Sequence, residues 1–147
     1  MQIEITYGNV HRFGELFEAA VLQGLSDAAD KLAENAQKGL DRLHPPASSP
    51  GEYLARRSGD GQRRVFSQAL IQDNKPVARC GSSNERLQQS GHDFNYMGYW
   101  QTTSATNKEG KSVRRPWLTL AVTESVADMR VAFEQGVKDG LDGLSDR

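Results

Sequence analysis

The chain has 147 residues and a mass of 16.2 kDa, the usual size of one domain, and is expected to form a single one. Hydrophobic residues make up only 37% and mean hydropathy is −0.65, so a modest core needs supplementing, with a partner subunit as one source. A formal net charge of −1 disfavours a globally basic nucleic-acid binder, one cysteine excludes an intrachain disulfide or a cysteine zinc cluster, and no run of about 18 apolar residues provides a membrane-spanning helix.

The segment Gln2 to Tyr7 alternates polar and apolar residues, with Ile3 and Ile5 on one face, and reads as a short strand. Its MQIEITYG beginning has neither a basic nor an apolar signal region, so no secretion signal is expected. Gly8-Asn9 breaks the strand, with Asn9 as an N-cap. A long helical pattern then runs roughly from His11 to Leu43. Its stripe is Leu22, Leu25, Ala29, Leu32, Ala36, Leu40 and Leu43, spaced by threes and fours along one face. Such a helix is about 50 Å long. Gly14, Gly24 and Gly39 each cost roughly 1 kcal/mol against alanine and favour a bend or fraying. The small residues Ala28, Ala29, Ala33 and Ala36 permit close approach of a neighbour.

His44-Pro45-Pro46 stops the helix, since the residue before proline is driven out of the helical region. A long loop over 44–61 follows, rich in Pro, Ser, Gly and Arg, of a length that is usually functional. Gln62 to Asp73 alternates as a strand, with Val65, Ser67, Ala69 and Ile71 on one side. Asn74-Lys75-Pro76 is expected to turn the chain, and Val77 to Ser82 to return as the second strand of a hairpin. Ser83 to Asp93 reads as a polar loop. Phe94, Tyr96, Met97, Tyr99 and Trp100 form the densest aromatic cluster, compatible with a helical turn or a strand. A second long loop is expected over 102–115.

Pro116 then opens a second helix at the position where its missing N–H matters least. Leu118, Val122, Val126, Met129, Phe133, Val137, Leu141 and Leu144 form its apolar stripe, and Gly136, Gly140 and Gly143 point to fraying at its end. The fold class expected is α+β: a small, mostly antiparallel sheet with the long N-terminal helix and the C-terminal helix packed on one face.

No catalytic constellation emerges. His11, His44 and His92 have no metal-ligand spacing, and no nucleophile elbow, Walker loop or dinucleotide fingerprint is present. Cys80 with a histidine is the one enzymatic alternative, and a packed cysteine is the simpler reading. The expectation is a protein that is not an enzyme and uses no cofactor or metal.

Charge is unevenly laid out. Residues 1–50 carry −3, residues 51–115 carry +5 and residues 116–147 carry −3. This pattern favours self-association or a charged partner. Arg56, Arg57, Arg63, Arg64, Arg114 and Arg115 cluster in the basic stretch and are the candidate subunit or partner contacts. The same residues could meet nucleic-acid phosphate, which keeps a small nucleic-acid-binding module as an alternative. Tyr99, Trp100 and Trp117 are candidate packing anchors.

Four motifs in order carry a family resemblance. Pro45-Pro46-Ala47-Ser48-Ser49-Pro50-Gly51-Glu52 looks like the Pro-Gly-Glu loop of tailed-bacteriophage tail-completion, or head–tail joining, proteins. Arg57-Ser58-Gly59 followed by Arg63-Arg64 is similar to that family's Arg-Thr-Gly…Leu-Arg stretch, which enters a strand. Tyr96-Met97-Gly98-Tyr99-Trp100-Gln101-Thr102-Thr103 resembles its Tyr-Ala-x-Tyr-x-Glu-Phe-Gly-Thr segment, with Gln101 and Thr102 standing where Phe-Gly is common. Arg114-Arg115-Pro116-Trp117-Leu118 resembles the Arg-Pro-Phe-Leu run that leads into its last helix.

The resemblance implies a structural virion protein of the tail or neck region, made in the host cytoplasm. It implies a homo-oligomeric ring, six-fold in many relatives, that completes or terminates the tail and joins it to the head. The partners implied are further copies of the chain, the tail tube protein and a head–tail connector or stopper protein. DNA would be met only in the ring lumen, and no membrane is involved. A minor tail or neck protein of another position is the neighbouring alternative.

Overall fold

In the computed structural model, Asp73 and Asn74 both have positive φ, 50° and 59°. Such a pair of left-handed residues makes the two-residue turn whose twist matches that of paired strands, and Asp and Asn tolerate it best after glycine. The turn joins β2 (Val65–Gln72) to β3 (Lys75–Ser82). The hairpin is therefore as expected, but its turn lies one residue earlier than Asn74-Lys75-Pro76. Pro76 is the buried second residue of β3.

The structure describes residues 2–6, 14–42, 63–83, 87–89, 92–94 and 96–145. The loop 44–61, and with it Arg56, Arg57, His44 and the Pro-Gly-Glu run, lies outside them, as do Asn9 and His11. The remaining elements are β1 (Gln2–Thr6), α1 (Gly14–Arg42), β4 (Leu87–Gln89), β5 (His92–Phe94), α2 (Tyr96–Thr102) and α3 (Trp117–Ser145). The fold is α+β, with a three-stranded antiparallel sheet in the order β1-β3-β2.

In the middle of the chain one expectation is corrected, and the open choice for the aromatic cluster is resolved. The stretch from Ser83 to Asp93 is not all loop: β4 and β5 pair antiparallel, with Leu87 opposite Phe94 and Gln89 opposite His92. The aromatic cluster divides, Phe94 ending β5 and Tyr96 opening the short helix α2.

Contacts group the chain into two compact units. One comprises residues 2–34, 66–80 and 125–147, the other residue 1, 35–65 and 81–124. In the first, Val21, Leu25 and Ala29 of α1 pack on Ala78 of β3, with Ile5, Ala69 and Phe133 against the same cluster. Both helices thus meet one face of the sheet. Ser67 donates to the Asp30 carboxylate from that face, while Arg79 faces the other way, toward Gln72 and the Glu4 carboxylate at 3.5 Å. The stripe on α1 is buried from Leu25 to Leu40, and Leu22 is half-buried. The stripe on α3 is displaced from its expected path: Val126 is 61% exposed, and Ser125 is buried in its place.

Close approach explains that displacement. A Cβ placed on Gly24 would lie 2.6 Å from Val137 Cγ2 and 2.7 Å from the Phe133 carbonyl oxygen. One placed on Gly136 would lie 2.8 Å from Gly24 Cα, and one on Gly140 2.7 Å from Ala20 Cα. Residues late in α3 meet residues early in α1, so the helices run antiparallel, backbone against backbone. Gly136 and Gly140 do not mark fraying, and α3 continues to Ser145. The face turned to α1 is set by the small residues, and Val126 rotates outward.

A contrast between glycines tests this contact. Gly140→Val is expected to lower stability by about 1–3 kcal/mol, because Ala20 backbone cannot yield as a side chain can. Gly143→Ala, with nothing within 4 Å of the added Cβ, is expected to be neutral or to stabilise by up to about 1 kcal/mol. Urea denaturation of both variants reads the difference.

Candidate functional site

Of the residues singled out by the sequence, Tyr99, Trp100, Arg114, Arg115 and Trp117 lie together in the second unit, where α2 meets the start of α3. The first N–H groups of a helix have no partner inside it and must find one elsewhere. The Pro116 carbonyl accepts from Leu120 N–H at 2.9 Å, so Pro116 is the capping residue and Trp117 the first helical one, a shift of one residue from expectation. Proline has no side-chain oxygen to satisfy the orphan donors. Gln101 of α2 supplies one: its buried side-chain carbonyl accepts from Leu118 N–H at 2.8 Å, and its amide donates to Thr119 Oγ1 at 2.7 Å. Trp117 N–H donates to the Arg115 carbonyl at 2.9 Å.

Trp117 is fully buried, and its indole N–H donates to the Met97 carbonyl at 2.9 Å. It is a packing anchor within this unit. Trp100 meets Tyr99 edge to face, with ring centroids 5.2 Å apart and planes at 78°. The Arg115 guanidinium lies over Trp100, 4.9 Å from the ring centre, and also donates to the Val113 carbonyl. Arg115 N–H donates to the Trp100 carbonyl at 2.9 Å. Arg114 donates from Nε to the Gln101 carbonyl at 2.6 Å while remaining exposed. Arg114 and Arg115 therefore tie the loop to α2. Arg63 is exposed just before β2, and the Arg64 carbonyl accepts from Ser83 N–H at 2.8 Å.

The basic stretch between α2 and α3 is an ordered loop. Asn107 Oδ1 accepts from the N–H groups of Glu109 and Lys111 at 2.9 and 3.0 Å, and Asn107 N–H donates to the Lys111 carbonyl at 2.8 Å. Gly110 takes a φ of 76°, and Thr106 bridges Ser112 across the base. These bonds order the loop from within the chain. They present Lys108 and Lys111 to solvent.

Cys80 belongs to the first unit and is fully buried. Burial pushes its thiol pKa up from about 9 to about 12, and the nearby Asp30 carboxylate adds to the rise. A thiol so placed stays protonated at neutral pH and is a poor nucleophile. Among the described residues, no cluster of His, Cys, Asp and Glu could hold a metal ion, and no helix is long and apolar enough to cross a membrane.

Sequence reasoning did not find Gln101. A glutamine after an aromatic run has no periodic signature, and its role depends on a helix start 16 residues later. The chain matches no protein-family model, and neither a curated protein nor a solved structure is significantly similar to it.

Replacing Gln101 by leucine removes the bond to Leu118 N–H and leaves that buried donor unsatisfied. The expected cost is about 1–3 kcal/mol, read as a lower midpoint in chemical denaturation. For Cys80 the sign follows from the raised folded-state pKa: its contribution is fully present below pH 9 and is lost as pH rises toward 12. Stability of the wild type relative to Cys80→Ala is expected to be constant up to about pH 9. It should then fall by up to about 1.4 kcal/mol per pH unit. Denaturation of both proteins from pH 7 to 11 checks this.

Proposed function

We propose that this chain is a structural virion protein of a tailed bacteriophage, which assembles into a ring, six-fold by the resemblance, that completes the tail and joins it to the head. The observation that carries the reading is the ordered set of four motifs. Three of the four reach the described residues, and their positions support the reading. Arg63-Arg64 leads directly into β2, the Tyr96–Thr103 run falls on α2 and its end, and Arg114-Arg115-Pro116-Trp117 leads into the last helix.

The charge layout gives the ring a physical basis. Head-to-tail contacts that close by rotation use the same two unlike patches in every copy. A positive middle segment and acidic helices are two such patches. The thin core also fits, since neighbours in a ring cover surface that one copy leaves exposed. The partners are then further copies of the chain, the tail tube and a head–tail connector or stopper, with DNA passing through the lumen.

Native mass spectrometry and negative-stain microscopy test the proposal. A closed ring is expected, alone or on added tail tubes. A strictly monomeric species at high concentration and with tubes present would count against it. Charge reversal at Arg63 and Arg64 is expected to weaken assembly at least tenfold while helix content by circular dichroism is unchanged. Unchanged assembly would show that these arginines lie outside the contact.

A further inference from the structure

The sheet of the first unit ends on two unlike edges. In the order β1-β3-β2, no further strand pairs with the outer side of β1 or of β2 among the described residues. Unpaired strand edges are templates for another strand. The two edges differ in what stands beside them. Next to β1 lies an apolar groove of about 470 Å³, lined by Ile5, Leu25, Met129 and Phe133 and rimmed by Arg130 and Glu134, paired at 3.0 Å. Val126 shares the helical face of Met129 and Phe133 and extends the apolar surface, 61% exposed. On β2, Ile71 lies on the same face of the sheet as Ser67 and Ala69, which meet α1, yet it is 43% exposed. One edge thus carries an apolar hollow and the other an apolar projection, on the same side of one sheet.

Charge is complementary in the same sense. The hairpin with its two leading arginines carries Arg63, Arg64 and Lys75 against Asp73, beside Arg79, which already pairs with Glu4. The helix α3 beside the groove carries Glu124, Asp128, Glu134, Asp139 and Asp142 against Arg130 and Lys138.

We infer that the occupant of the β1 edge and its groove is a second copy of this chain. Its β2 continues the sheet, and its Ile71 enters the groove between Ile5, Met129 and Phe133. Both strands are antiparallel to β3, so they run in the same direction. Rotation about an axis along the strands lays β2 of one copy beside β1 of the next as a parallel pair. The contact is head-to-tail, so it repeats around a ring instead of stopping at a dimer. Placing Ile71 opposite Ile5 sets Gln68 opposite Gln2, both exposed and on the other face of the sheet. The inference rests on the ring reading above and specifies the contact that closes it.

The test combines surface variants with a cross-link. Native mass spectrometry of the wild type, Ile71→Lys and Val126→Lys is expected to show assembly in the first and monomers in the other two at the same concentration, with unchanged circular dichroism. The double variant Gln2→Cys with Gln68→Cys is expected to give, on oxidation, a ladder of linked chains longer than two. Within one chain β3 separates the two positions by two strand spacings, roughly 9–10 Å, too far for a disulfide. The buried Cys80 thiol stays out of the reaction. A ring that survives both lysine substitutions, or a ladder that is absent or ends at two, overturns this contact and leaves the ring standing. A wild type that stays monomeric even with tail tubes overturns both. If a lysine variant loses helix content, the cysteine pair at exposed sites decides alone.

Discussion

Two 29-residue helices lie backbone to backbone in this chain at two successive points, Gly24 against Gly136 and Ala20 against Gly140. Gly24, Gly136 and Gly140 make that approach possible, and each is a position where a methyl group would press on backbone or on a neighbour that cannot withdraw. Much of the first unit follows from it. Drawing α3 so near to α1 brings Phe133 onto the cluster of Val21, Leu25, Ala29 and Ala78, and holds both helices on one face of a three-stranded sheet. It also fixes the rotation of α3 about its axis, which is why a valine in the apolar stripe faces solvent. Glycine lowers intrinsic helix stability, so the contact is maintained by packing and not by propensity.

The second unit depends on a different device. A helix that begins after proline has no local side chain to cap it, and a glutamine from the preceding helix reaches across to do so. With its side chain on Leu118 and Thr119 and its carbonyl receiving Arg114, Gln101 ties α2, the loop and α3 into one hydrogen-bonded set. Trp117 closes the arrangement by burying its ring and bonding the Met97 carbonyl.

The periodic parts of the fold were legible in the sequence. Threes and fours between Leu25 and Leu40, and alternation along β2, are direct images of a buried face. What was not legible depended on partners distant along the chain. The glycines of α3 carry a visible four-residue spacing, but in sequence it reads equally as weakness at a helix end. Only the opposing Gly24 and Ala20 separate the two meanings. The β4–β5 pair was hidden because its strands are three residues long and polar. At the candidate site, the clustering of aromatic and arginine residues around the α2–α3 junction was apparent, whereas the internal duties of Arg114 and Arg115 came from carbonyls that no spacing encodes.

The loop closed by Asn107 has a bearing on where foreign sequence can be carried. Its base is pinned by the Thr106–Ser112 bridge and by the bond from Val113 N–H to the Ala105 carbonyl at 3.1 Å, while Lys108 to Gly110 form the exposed tip. Closure entropy grows only logarithmically with length, about 0.6 kcal/mol for each doubling. A short epitope grafted between Lys108 and Gly110 would extend a tip whose stem already holds itself together. Such a graft gives the chain a handle for a bound antibody fragment without disturbing either helix.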